Sequence, residues 1–236
     1  MDGVVTETAS VHAAAWKRIF DDFLRSRADA RGERFTPFDP RADYLAYVDG
    51  RSRLDGVRAF LASRGITLPE DGADADPHAP TVAALGDRKE RYFLDYVRTR
   101  GVTAYPSTLA LLKSLRRAGL RTAVVSASRN CAAVVKAAGA ADLFDVRVDG
   151  RDAERLHLPG KPDPALFLEA ARRMGPAPAR TAVVEDSLAG VEAGARGGFG
   201  LVVGVDRAGQ AAQLHTRGAG VVVSDLAELT VAKERG

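Results

Sequence analysis

Residues 181–187 read TAVVEDS, a short apolar run that ends in two adjacent carboxylates. Four similar runs, rich in β-branched residues, occur at residues 122–125, 145–148, 201–205 and 221–223. Continuous apolar runs of this length are typical of strands that are buried on both faces. We therefore predict that these five segments are the strands of a parallel sheet.

Helical patterns lie between these strands, at residues 107–118, 130–138, 164–174 and 188–196. Alternation of strands and helices indicates an α/β fold with a Rossmann-like parallel sheet covered on both faces. In such sheets, ligands bind beyond the carboxyl ends of the strands. The residues that directly follow each strand are therefore the candidates for chemistry.

The first part of the chain has a different pattern. Between residues 9 and 98, apolar residues recur at helical spacing and no convincing strand is present. Residues 69–80 are rich in Asp, Gly, Ala and Pro and are predicted to form a loop. We predict an α-helical cap over residues 9–102, inserted into an α/β core made of residues 1–8 and 103–236.

Composition narrows the class of protein. The 236 residues are 46% hydrophobic and 28% charged, as is usual for a folded globular chain. The formal net charge is only +3 and the basic residues are scattered, which argues against nucleic-acid binding. Cys131 is the single cysteine and no apolar stretch is long enough to span a membrane. We expect a cytoplasmic monomer that has no membrane partner.

Two loops carry groups that suit a phosphate. Residues 126–130 read SASRN, which brings hydroxyls, backbone N–H groups and a guanidinium together after a strand. The alternative is that Ser128 or Asn130 merely caps the next helix. Lys161 has a proline on either side in its loop, and an ammonium fixed in this way can neutralise a phosphoryl group during transfer.

Carboxylates follow one of the apolar segments and also occur at the start of the chain. Glu185 and Asp186 place two like charges side by side, which is costly unless a cation such as Mg²⁺ offsets them. The alternative is that Asp186 only caps the following helix. At the start of the chain, residues 2–8 read DGVVTET, where Asp-Gly alone is only a turn signal.

Taken in order, these segments resemble the haloacid dehalogenase superfamily. DGVVTET resembles the end of its first motif, Asp-x-Asp-Gly. Ser126, Lys161 and the pair Glu185 and Asp186 match its second, third and fourth motifs. Within the superfamily, the chain resembles the β-phosphoglucomutase family through the DGVVTET opening, GRSR and RK in the cap, and SASRN, together with His12 and Trp16.

The resemblance implies a magnesium-dependent phosphoryl transfer on β-glucose 1-phosphate or a related sugar phosphate, through an aspartyl-phosphate. An aspartate two residues before Asp2 would be the nucleophile, and Asp2 would be the general acid and base. Ser126 and Lys161 would hold the transferring phosphoryl group. The nucleophile, the Asp2 carbonyl, Glu185 and Asp186 would hold Mg²⁺.

The resemblance also assigns residues to substrate binding. Arg53 from the cap, with Ser128 and Asn130, would hold the second, non-transferring phosphate. Lys89 and His12 would lie near the junction of core and cap and help to close the site. Arg129 completes the set implied for substrate binding. It replaces the lysine of the family's second motif and keeps the positive charge.

Three functions stay open at this point. A phosphomutase and a sugar-phosphate phosphatase would use the same core and differ in whether water reaches the aspartyl-phosphate. Arg53 and residues 128–130 favour the mutase, because they suggest a second phosphate site. A non-catalytic binding protein that lacks the nucleophile is the third. Cys131 is expected to be a packed, unreactive side chain.

The start of the sequence leads to a further expectation. Met1 occupies the middle position of Asp-x-Asp, so neither the expected nucleophile nor the strand before it is in the sequence. Without that strand, its two neighbours in the sheet would face a gap with unpaired backbone groups. We expect that the natural protein continues upstream through a short apolar strand, and that residues 1–236 alone are inactive and poorly soluble.

Overall fold

The computed structural model describes residues 1–71 and 80–232 and divides the chain into two units. One unit comprises Ala9–Gly101 and is called the helical unit. The other combines Met1–Thr8 with Val102–Gly236 and is called the α/β unit. Most of the predicted loop at residues 69–80 lies outside the described residues.

In residues 9–71 and 80–101, the helical unit contains three α-helices and one short turn of π-helix. Side-chain oxygens at the N-caps fix the start of two of the helices, since Ser52 accepts a hydrogen bond from the N–H of Asp55 and Thr81 from that of Ala84. The elements are α1 (Ala9–Arg31), the π-helical turn (Tyr44–Val48), α2 (Arg53–Ser63) and α3 (Val82–Arg100).

Aromatic side chains fill the centre of the helical unit. Phe20 and Phe60 are fully buried, and their ring centroids lie 4.1 Å apart. Phe38 packs against both rings, at 5.3 Å from Phe20 and 5.0 Å from Phe60. The helical periodicity of the sequence therefore corresponds to one continuous buried core.

Up to residue 232, where the description ends, the α/β unit has five strands at the positions that the apolar runs predict to within a residue, and they alternate with helices. The predicted α/β fold with parallel strands is confirmed. The elements are α4 (Pro106–Arg117), β1 (Ala123–Val125), α5 (Cys131–Ala137), β2 (Val146–Val148), α6 (Gly150–Arg155), α7 (Ala165–Met174), β3 (Ala182–Glu185), α8 (Leu188–Arg196), β4 (Leu201–Val205), α9 (Ala211–Thr216) and β5 (Val221–Val223).

Two short helices, α6 and α9, are absent from the sequence prediction. Each has six residues, which is too short to show a clear helical period. For α6 a local signal does exist, because Asp149 and Asp152 form a reciprocal capping box at its start.

The strands form two separate parallel sheets. β1 pairs with β2, while β3, β4 and β5 pair in that order. Among the described residues, the second edge of β1 and that of β3 have no partner strand. The five predicted strands are therefore divided between two sheets within the described residues.

An apolar groove of about 560 Å³ lies alongside both unpaired edges. Its walls include β1 and β3, and side chains such as Leu112 of α4 and Phe167 of α7 complete them. Met1 also lines the groove, and its amino group lies 3.4 Å from the carbonyl oxygen of Val125. The first residue of the sequence therefore lies beside the end of β1.

Candidate functional site

The carboxyl end of β3 holds a buried ion pair. The Lys161 ammonium contacts Oε1 of Glu185, and both side chains are almost completely buried. Oε2 of Glu185 accepts hydrogen bonds from the N–H (3.2 Å) and hydroxyl (2.9 Å) of Ser187. Both oxygens of Glu185 are therefore engaged within the protein.

The same contacts set the charge of Glu185. Burial acts to raise its pKa, but the nearby Lys161 ammonium and the amino-terminal charge outweigh burial and hold the pKa below its ordinary value. Gly190 allows the approach of α8, because a Cβ atom there would lie 2.2 Å from Cδ of Glu185. Glu185 is thus ionised and paired with Lys161. The Lys161 ammonium nitrogen also lies 4.9 Å from the centre of the Phe167 ring.

Asp186, the next residue, meets the start of the chain. A Cβ atom on Gly3 would lie 1.6 Å from Oδ2 of Asp186, so only glycine permits this approach. Gly3 also has a φ of +68°, a left-handed conformation that glycine adopts without strain. The alternative role of Asp186 as a helix cap is wrong, because Ser187 caps α8 through a hydrogen bond from the N–H of Gly190.

Asp2 is oriented by the threonines of the DGVVTET segment. The Thr8 hydroxyl donates a hydrogen bond to Oδ1 of Asp2. The hydroxyls of Thr6 and Thr8 are 2.8 Å apart, and both residues are buried. A carboxylate held in one orientation is suited to transfer protons at a defined position. The sequence motifs assign no role to either threonine.

Residues 126–130 form a tight loop after β1. The N–H of Ser128 donates to Oγ of Ser126, and that of Asn130 donates to Oγ of Ser128, both at 3.1 Å. Each hydroxyl can still donate its own hydrogen. Gly150 packs directly against the loop, since a Cβ atom there would lie 2.6 Å from the carbonyl oxygen of Ala127.

The other members of this loop are less enclosed. The side chain of Asn130 makes no capping hydrogen bond at the start of α5, although the residue occupies the N-cap position. Arg129 is half-exposed and pairs with Glu154 at 3.4 Å.

Cys131 directly follows this loop and is completely buried. Burial raises the pKa of its thiol to about 12, which agrees with an unreactive packed side chain.

Lys89 and His12, two of the residues predicted to bind the substrate, lie together in the interior of the helical unit. The Lys89 ammonium nitrogen is 2.5 Å from Nδ1 of His12, and both residues are buried. The His12 ring stacks on Phe93 at 4.1 Å, and Lys89 lies 5.1 Å from the centres of the Phe93 and Trp16 rings. Because lysine has no acceptor, its ammonium donates to a neutral imidazole.

Arg53, also in the helical unit, is paired with carboxylates of α3. One terminal nitrogen contacts Glu90, and the other lies 3.2 Å from Asp87. The side chain is 21% exposed, so solvent or a ligand can reach it. A phosphate that binds Arg53 would therefore compete with at least one of these carboxylates.

The donors for a metal ion are only partly assembled. Among residues 1–71 and 80–232, no three His, Cys, Asp or Glu side chains are grouped so that they could hold one. Asp186 has the oxygen chemistry that Mg²⁺ prefers, and Gly3 brings the main chain of Asp2 close to it. The two oxygens of Glu185, the other carboxylate predicted to bind the metal, are engaged by Lys161 and Ser187, and its role as a metal ligand stays a prediction.

Comparison with known proteins identifies the family. A family profile described as "haloacid dehalogenase-like hydrolase" matches residues 1–198, so the chain belongs to this family of hydrolases. The family generally uses Mg²⁺. Within the described residues, every helix is too short or too polar to cross a membrane.

Individual relatives give finer detail. The β-phosphoglucomutase of Mycobacterium bovis is 47% identical over 232 residues, which cover 97% of this chain and 88% of the relative. Hexitol phosphatase A of Escherichia coli is 31% identical over 196 residues, 81% of this chain and 79% of the relative. The solved β-phosphoglucomutase of Clostridium difficile shares the fold, with a TM-score of 0.74, 23% identity and coverage of 97% of this chain and 90% of that one.

Proposed function

We propose that the chain transfers a phosphoryl group on a small sugar phosphate, as a magnesium-dependent enzyme of the β-phosphoglucomutase type that converts β-glucose 1-phosphate to glucose 6-phosphate. The observation that carries this proposal is the approach of Gly3 to Asp186. It brings Asp2, with its carboxylate fixed by Thr8, to the strand end where Lys161 is also anchored. The likeness to the Mycobacterium bovis β-phosphoglucomutase supports this type of substrate.

The candidate site residues of the α/β unit have distinct proposed roles. Asp2 would give a proton to the leaving oxygen and take one from the attacking hydroxyl. Lys161 and Ser126 would hold the transferring phosphoryl group, and Glu185 would keep Lys161 in place. The Asp2 carbonyl and Asp186 would contribute to holding Mg²⁺, which when bound supplies positive charge beside the phosphoryl oxygens.

The nucleophile is proposed to be an aspartate two residues before Asp2, as the family resemblance implies. Residues 1–236 do not include that position. The experiments below therefore use a chain that carries Asp-x directly ahead of Asp2, called the extended chain. The helices of residues 9–102 are proposed to form a cap. The residues proposed to bind the substrate are His12, Lys89, Ser128, Arg129 and Asn130.

A sugar-phosphate phosphatase is the second candidate, and the relative from Escherichia coli, named a hexitol phosphatase, favours it. Both candidates need the same core, so the acceptor decides between them. A mutase converts one sugar phosphate isomer to another, whereas a phosphatase releases inorganic phosphate. Binding of sugar phosphate by the extended chain without either reaction would favour the third candidate, a non-catalytic binding protein.

The test uses the extended chain with β-glucose 1-phosphate and catalytic glucose 1,6-bisphosphate, and it measures isomer conversion and phosphate release together. Conversion that depends on Mg²⁺ and is lost in Asp186→Ala, but kept in the exposed control Asp142→Ala, is the expected result. Phosphate release without conversion would assign the phosphatase. Activity of Asp186→Ala equal to that of the parent would remove the metal role of Asp186.

Arg53 gives a test of the second phosphate. Arg53→Ala should lower isomer conversion tenfold or more and should leave hydrolysis of a small aryl phosphate nearly unchanged, since a charged hydrogen bond contributes about 1.5–3 kcal/mol. Arg58→Ala is the matched control, because Arg58 lies on the same helix and pairs with the exposed Glu70. Equal losses on both substrates would argue against the mutase.

A further inference from the structure

Arg207 follows β4 and contacts three separate parts of the α/β unit. Its Nε donates a hydrogen bond to the carbonyl oxygen of Gly3 at 3.1 Å. Its Nη1 donates to the carbonyl oxygen of Ser224 at 3.1 Å and lies 3.3 Å from Oδ2 of Asp225. The guanidinium also stacks over the Tyr105 ring, 3.9 Å from its centre.

The contact with Gly3 is the informative one. Gly3 has no side chain with which to fix its own position, and its left-handed conformation places it directly against the Asp186 carboxylate. The turn is closed by local hydrogen bonds, such as the one from the Val5 N–H to the Met1 carbonyl at 2.7 Å. Arg207 connects this turn to the distant ends of β4 and β5.

The geometry specifically requires arginine. The planar guanidinium donates in fixed directions and can stack on a ring at the same time, whereas a lysine ammonium is a point charge without a flat face. Nη2 of Arg207 is buried and has no hydrogen-bond partner among the described residues. A buried polar atom without a partner is unfavourable, so stability alone is a poor explanation for this arrangement.

We propose that Arg207 is a positioning residue that holds the Asp2–Gly3 turn against Asp186. Its importance for turnover rests on the proposed function, but the positioning itself does not. Through the Gly3 carbonyl, Arg207 fixes how closely Asp2 approaches the end of β3. Tyr105 stacks on the guanidinium and is itself attached to the same turn, since its N–H donates a hydrogen bond to the Val5 carbonyl oxygen at 3.0 Å.

The test is amide hydrogen exchange on the chain of residues 1–236, with Arg207→Met, Arg207→Lys and the control Arg217→Met. Arg217 is half-exposed and pairs with Glu192 on the surface of the same unit. In Arg207→Met, exchange at residues 3–7 should become about tenfold faster, as expected for the loss of a charged hydrogen bond. Exchange in β3 and β4 should stay unchanged, and Arg207→Lys should recover part of the protection.

Two results would overturn the proposal. One is unchanged exchange at residues 3–7 in Arg207→Met. The other is an equal acceleration throughout the α/β unit, which would make Arg207 a general stabilising residue. In parallel, the Mg²⁺ affinity of the extended chain is measured by calorimetry, with and without Arg207→Met. Absence of Mg²⁺ binding in the extended parent would count against the proposed function, while the exchange data would still decide the role of Arg207.

Discussion

The helical unit and the α/β unit bury their apolar side chains in different ways. In the helical unit, Phe20, Phe38 and Phe60 form one cluster with neighbours from all the helices. In the α/β unit, the buried side chains form several smaller clusters, and an apolar groove of about 560 Å³ lies along β1 and β3. The helical unit is packed around one cluster of large side chains, whereas the α/β unit has smaller clusters beside an apolar groove.

The difference follows from where backbone hydrogen bonds are made. A helix satisfies its own N–H and C=O groups, so a helical core depends only on side-chain packing. A strand needs a neighbour on each side, and an open edge leaves both backbone groups and apolar side chains without partners. A sheet is therefore more sensitive than a helix bundle to the absence of one element.

The chain provides a separate probe for each unit. Trp16, the single tryptophan, is buried in the helical unit, so its fluorescence reports the unfolding of that unit. Cys131, the single cysteine, is fully buried in the α/β unit, so reaction with a thiol reagent reports the opening of that unit. The comparison can therefore be tested within one molecule.

The largest expected effect comes from the aromatic core of the helical unit. Phe60→Ala should destabilise the helical unit by about 3–5 kcal/mol, because the cavity forms in a completely packed site. Leu112→Ala should cost the α/β unit only about 2 kcal/mol, since Leu112 already lines the groove. Urea unfolding followed by Trp16 fluorescence and by Cys131 labelling gives the two values.

The exposed Tyr96 supplies the control, and Tyr96→Ala should change the free energy of unfolding by less than about 0.5 kcal/mol. Equal losses for Phe60→Ala and Leu112→Ala would contradict the comparison. They would mean that the groove is as well packed in solution as the aromatic cluster.

An intermediate effect is expected when the groove is given a strand. An extension of six alternating Val and Ile residues ahead of Met1 should stabilise the α/β unit by about 3 kcal/mol, because each buried large apolar side chain contributes about 1.5–3 kcal/mol before the cost of ordering. Slower labelling of Cys131 in urea, with an unchanged Trp16 transition, is the measured outcome.

The control extension has the same length but carries proline at every second position. Proline has no N–H and cannot pair in the middle of a sheet. If both extensions protect Cys131 equally, the groove does not accept a strand. A rise in molecular mass with the apolar extension would point to association between chains instead.

The smallest expected effect is electrostatic and tests whether the helices of the α/β unit depend on ion pairs. The hydrogen bond from Arg173 is the main cause that lowers the pKa of Asp152 to about 2. Because the folded pKa is depressed, the stabilisation is fully present above the unfolded pKa of about 3.9 and is lost as pH falls towards 2.

Asp152→Asn should therefore lower the stability of the α/β unit by about 1 kcal/mol at pH 7 and by clearly less at pH 3, after allowance for solvent screening. Calorimetric unfolding midpoints at pH 7, 5 and 3 provide the measurement, with Asp142→Asn as the exposed control. A loss that is the same at every pH would show that Asp152 acts only through helix capping.

Much of the fold follows from the sequence. The five apolar runs predict the strands to within a residue, because a strand buried on both faces needs a continuous apolar segment. The resemblance also brings Asp2, Lys161 and Asp186 into one set of candidates.

Other features depend on contacts between residues far apart in the chain. Nothing local to Glu185 predicts that Lys161, 24 residues away, engages one of its oxygens, or that Arg53 meets Asp87 and Glu90. The capping of α8 by Ser187 instead of Asp186 depends on which side chain faces the helix start.

Arg207 is the clearest example of what tertiary structure alone decides. It is 204 residues from Gly3, and the surrounding sequence, GVDRAG, gives no motif that marks it. Sequence by itself determined which segments are buried and which polar groups follow them, because burial and periodicity are local properties. The three-dimensional structure decided which of those groups meet, because a hydrogen bond needs two atoms within about 3 Å, and only the folded chain sets that distance.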